Sequence, residues 1–132
     1  MKNVKIKVYD KQIYETHDDT NETEFDGQLS FRNESVYITY KDEEMGVTTI
    51  IKTKGGIVWV KRLGNLKGDM TFDTQNPDRT IYYTPYGEME IQIMTKKCEV
   101  YILEKGIKIM IDYKILMQDK VISDNIYMIV VN

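Results

Sequence analysis

The chain has 132 residues, with 18 Lys and Arg against 21 Asp and Glu and a net charge of −3. That length fits one domain over residues 1–132, able to hide roughly two thirds of its unfolded surface. The charge balance lacks the basic excess of a nucleic-acid binder. A single cysteine, Cys98, excludes an internal disulfide and suits a reducing compartment. The opening MKNVKIKVYD lacks the apolar stretch of a signal peptide, so a cytoplasmic location is expected. The longest purely apolar run, Ile126–Val131, is six residues, far short of the ~20 that a membrane helix needs. Alanine is absent while Ile, Val, Thr and Tyr abound, a composition that favours strands over helices.

Taken in chain order, the elements read as period two. Val4, Ile6 and Val8 alternate with Lys5 and Lys7, as on a strand with one apolar face. At YDKQIY the apolar positions move from even to odd with Ile13, which predicts a bulge. FDGQLSF aligns Phe25, Leu29 and Phe31 around Gly27, where a bend is expected. Residues 10–26 hold seven acids and one lysine, whereas residues 47–68 hold five basic residues and no acid. These are either two solvated surfaces that attract each other or an acidic surface beside an anion-binding hairpin. Over Ile50, Ile51 and Ile57–Val60 both parities are apolar, so the inward face is ambiguous. In EMEIQIMT and IKIMIDYKILM it is not: Met89, Ile91 and Ile93 share one face, as do Ile107, Ile109, Ile111, Tyr113, Ile115 and Met117. Turn residues recur every eight to twelve positions, and no segment is long enough for a crossover helix, so the strands must be mostly antiparallel. The expected fold is all-β, an antiparallel and mostly up-and-down barrel of about 8–10 strands.

Chemistry is sparse. His17 is the only histidine and sits in the acidic ETHDDTNETE, away from Cys98. Cys98 shares parity with Val100 and Ile102, as a core thiol does. No nucleophile–base pair, phosphate-cradling loop or metal-ligand spacing stands out, so no catalytic residue, metal or cofactor is assigned. Arg62 shares parity with Val58 and Val60. On an inward face it is a buried guanidinium in need of an anionic partner; on the other face it is a solvated surface residue. In TIYYTPYG, Tyr82 and Tyr83 must point to opposite sides of a strand. With Ile81 and Tyr83 inward, the expected ligand-binding residues are Arg62, with Tyr83 and Arg79 near the mouth. The ligand is a small anionic or lipophilic molecule held in the barrel. The alternative is a protein-interaction module whose barrel is filled with side chains. Strands apolar on both faces leave an outer patch around residues 47–63, which predicts a homodimer centred on either Trp59 or Val58 and Val60.

Arg62 and Gly64 at a strand end, the Met70-Thr71-Phe72 strand, and Tyr82-Tyr83-Thr84-Pro85-Tyr86-Gly87 running into a strand that reaches Thr95 form a recognisable order. KGIKIMIDYKI and a final SDNIYMIVV complete it. This arrangement resembles the YwiB-like family of bacterial proteins, a domain of unknown function placed among calycin-like β-barrels. The resemblance implies a closed or nearly closed antiparallel barrel of the lipocalin type.

Overall fold

A computed structural model describes residues 1–132. It contains ten strands and no helix: β1 (Lys2–Ile13), β2 (Asp18–Arg32), β3 (Ser35–Asp42), β4 (Val47–Lys54) and β5 (Ile57–Gly64) form the first half. The second half is β6 (Gly68–Phe72), β7 (Asp78–Thr84), β8 (Gly87–Leu103), β9 (Gly106–Met117) and β10 (Lys120–Val131). Tight turns make sequence neighbours antiparallel partners. Asn33 and Glu34 (φ 50° and 68°), Gly55 and Gly56 (61° and 82°), and Gln118 and Asp119 (51° and 64°) all take left-handed backbone. Paired positive φ values twist a hairpin in the sense that strands prefer.

Every ladder joins sequence neighbours, except that β1 also pairs with β10. The ten strands thus follow one another around a nearly closed ring, the up-and-down barrel expected. The gap lies between β6 and β7, which share no ladder. Lys67 and Tyr83 bridge it with two backbone hydrogen bonds of 3.0 and 2.8 Å. The Asp78 carboxylate adds a third link, accepting from the Thr71 amide at 2.9 Å. A side chain here satisfies an edge donor that a neighbouring strand would otherwise take.

The alternation sets the core. Ile38, Ile51, Phe72, Ile93, Ile109 and Ile129 are fully buried inside the ring. Val58 and Val60 point inward, so Trp59 points out. The bulge expected in β1 is not there, since its pairing with β2 and β10 runs unbroken and Ile13 simply faces outward. Register shifts occur instead in β8 between Thr95 and Lys97 and in β10 between Val121 and Ser123. The first moves the inward parity from Ile91 and Ile93 to Cys98 and Val100. Gly27 marks a close approach rather than a bulge. Its ladder is continuous on both sides, but a Cβ there would collide with Ile6 and the Thr39 carbonyl oxygen.

On the outside, the acidic and basic stretches are not neighbours, because β3 separates β2 from β4. The acids of β2 meet the lysines of β1 instead, as Lys5 with Asp26 and Lys7 with Glu22. Lys52 lies between two rings, 5.2 Å from the centre of Trp59 and 5.9 Å from that of Tyr37. Its stem covers aromatic surface that no helix is present to cover.

Candidate functional site

Arg62 interrupts an apolar row near one end of the barrel. It follows Val58 and Val60 along the inward face of β5 and pairs across the sheet with Thr49 and Gly68. Gly68 matters to its surroundings, because a Cβ there would press on the Tyr82 ring at 3.0 Å. Without that side chain, the ring of Tyr82 crosses the β6–β7 gap toward the guanidinium. Arg62 donates through Nη1 to the Tyr82 hydroxyl at 3.3 Å and through Nη2 to the Tyr127 hydroxyl at 3.4 Å. Tyr127 shares a hydrogen bond of 3.3 Å with Tyr40, and its ring centre lies 5.8 Å from the guanidinium carbon.

These are long bonds to neutral acceptors. A guanidinium carries five N–H donors, and none of the molecule's ion pairs includes Arg62. Burial works against its charge, but the oxygens of Tyr127, Tyr82 and Tyr40 outweigh burial and hold its pKa above the ordinary value. The cation persists. Burial also raises the pKa of Tyr82, Tyr113 and Tyr127, with Arg62 opposing the rise in each. All three phenols stay protonated near neutral pH.

Arg62 forms part of the floor of an open cavity of about 190 Å³, whose wall includes Asp10, Asn21, Tyr40, Asp42 and Thr49. Clefts for drug-sized ligands run to roughly 300–1,000 Å³, so this one suits a small solute and not a lipid chain. Asp10 sits opposite Tyr127 in the β1–β10 ladder. One of its oxygens accepts from Gln12 Nε2 at 3.4 Å, while Oδ1 is buried with no partner. Burial lifts its pKa above the usual carboxylate value, opposed by Arg62 and the Gln12 hydrogen bond.

Of the residues singled out by sequence, Arg62 takes the inward position and the other two do not join it. Tyr83 points outward and is half-exposed, while Tyr82 is buried. The reason is register: the Pro85–Tyr86 turn sets Tyr82 opposite Met89 and Thr80 opposite Ile91, on the inward face of β8. Arg79 lies on the outer wall of β7 and pairs with Glu90 at 3.8 Å. Tyr86 is at the tip of the turn, 99% exposed, its amide donating to Thr84 Oγ1 at 3.1 Å. The residues that sequence reasoning passed over are Asp10, Tyr40, Tyr82 and Tyr127. Two of them had a plain signal, since Asp10 shares parity with Val4, Ile6 and Val8, and Tyr127 with Ile129 and Val131.

His17 stacks on Tyr14 at 4.8 Å and lies 3.6 Å from Asp19, away from this cavity. Cys98 packs against the core, and burial raises its thiol to about 11. A search among curated proteins gave no match. The crystal structure of the ywiB protein from Bacillus subtilis superposes with a TM-score of 0.87 at 23% identity, over 98% of this chain and 90% of that one. That similarity concerns the fold, which alone does not carry function. The sequence pattern of a domain of unknown function, DUF1934, matches residues 4–129, and the chain belongs to that family.

Proposed function

We propose that the protein is a small cytoplasmic barrel that binds a small oxyanion, a carboxylate or a phosphate, through Arg62. One observation carries this reading: an inward guanidinium faces an open cavity with phenol hydroxyls as its only side-chain acceptors. Its remaining donors match the planar fork of a carboxylate or phosphate. The rest of the interior is filled by the isoleucine and valine layers, which leaves a lipophilic tail no support. A second reading, a protein-interaction module, draws on the β8–β9 hairpin, where Tyr101, Ile102 and Leu103 are all exposed.

Native mass spectrometry of freshly purified protein, followed by titration with propionate and with inorganic phosphate, tests the first reading. Binding of either anion should be saturable and should disappear in Arg62→Met. No bound small molecule and no saturable shift with either anion would overturn it and leave the interaction module as the better account.

A further inference from the structure

Two opposite charges line the same cavity without meeting. Arg62 has spare donors, and Asp10 has an oxygen with no partner. A salt bridge between the two would neutralise both, yet they do not come within 4.0 Å of each other as an ion pair. Each is costly where it stands: burying a carboxylate or a guanidinium without full hydrogen bonding disfavours the folded state. Asp42 adds a second carboxylate to the wall, although one of its oxygens already accepts from the Met45 amide at 3.0 Å. The cavity lining therefore carries one positive and two negative side chains.

That balance discriminates among anions. A doubly charged phosphate or a dicarboxylate gains Arg62 but meets Asp10 and Asp42, and like charges in a partly buried cavity repel. A molecule with one carboxylate and one ammonium gains at both ends. We infer that the ligand is a small zwitterion of the amino-acid type, its carboxylate on Arg62 and its ammonium on Asp10. Rotation about the Asp10 Cβ–Cγ bond exchanges its two oxygens, so either can face an incoming donor. Asn21 lies opposite Asp10 in the β1–β2 ladder and adds an amide to the same wall. The cavity of about 190 Å³ fits a molecule of this size without displacing the core.

This inference rests on the anion site at Arg62, and the two are separable by experiment. Calorimetric titration of the full chain would compare L-alanine with propionate and L-leucine with 4-methylpentanoate, with inorganic phosphate alongside. Each pair differs only by the ammonium group. At least one amino acid should bind tenfold or more tightly than its deaminated partner. Asp10→Asn should erase that preference while leaving carboxylate binding, and Arg62→Met should abolish both. Carboxylates or phosphate binding with no amino-acid preference would overturn the zwitterion assignment and keep the anion site. A preference that survives Asp10→Asn would overturn the role of Asp10. Binding of none of these probes would remove both readings. Should Asp10→Asn fail to fold, the wild-type comparison within each pair decides the matter by itself.

Discussion

At the residue scale the Arg62 neighbourhood trades stability for unmet hydrogen-bonding capacity. Tyr82→Phe takes away one of two hydroxyls that the guanidinium reaches and should cost about 1–3 kcal/mol in urea unfolding, the loss expected when a buried donor is left unpaired. In the same assay Arg62→Met should be near neutral, within about 1 kcal/mol, because an apolar side chain of similar length removes the desolvation cost of a poorly paired charge but leaves the Tyr82 hydroxyl without its partner. Asp10 gives a pH-dependent counterpart. Its folded pKa is raised above the ordinary 3.8, chiefly by burial. The protonated form is thus favoured in the folded state, and that contribution is full below about pH 3.8 and lost as pH rises through the folded pKa. Asp10→Asn should therefore be more stable than wild type at pH 7, with the difference vanishing in acid, as chemical denaturation at several pH values will show. Arg62 was legible in sequence as a choice between two faces. Asp10 was missed although it shares the parity of Val4, Ile6 and Val8, because a lone acid at the end of an apolar row reads first as the row's end.

At the element scale, legibility followed one-sidedness. β9 has a strict apolar face, and Ile107, Ile109 and Ile111 are all fully buried. Ile109→Asp should abolish the cooperative thermal transition, since an unpaired charge there costs several kcal/mol in a domain stable by only ~5–15 kcal/mol. β7 is short and carries a tyrosine on each side, Tyr82 and Tyr83, so its own residues left the inward face open. The deciding information lay in its partner. A two-residue turn at Pro85–Tyr86 fixes Tyr82 opposite Met89, and the alternation of β8 then turns Tyr82 inward. The β1 parity switch misled for the opposite reason, since Ile13 at a strand end is tolerated on the outside. The register shift of β8 breaks its apolar row in mid-strand, at the polar Thr95–Lys97, whereas that of β10 falls at the start of the strand, between Val121 and Ser123.

For the whole molecule, the two-sided strands β4 and β5 bear on assembly. Their outward Ile50, Ile57 and Leu63 are partly covered, and Trp59 is shared with Lys52. A homodimer centred on Trp59 is the expected outcome. Light scattering at micromolar concentration should give twice the 15.6 kDa of one chain, and Trp59→Ala should reduce it to one. A single-chain mass that does not change with concentration would show that the Lys52 stem and its aromatic neighbours suffice as cover.

The gap between β6 and β7 also says where the ring can be cut. The first and last strands ladder directly onto each other from Ile6–Val131 to Ile13–Asp124, and the Lys5 amide and carbonyl both bond to Asn132, at 2.9 and 3.0 Å. The two ends of this chain therefore lie beside each other in a continuous part of the wall, while the weakest seam falls in mid-chain. Joining Asn132 to Met1 through a short flexible linker and opening the backbone between Thr74 and Gln75 would give a circular permutant beginning at β7 and ending at β6. In that order all nine laddered pairs become sequence neighbours, and the long loop that must close before β1 finds β10 is gone. Loop closure limits the folding of chains rich in distant pairings, so the permutant should refold faster than the parent in stopped-flow measurements while retaining the same barrel.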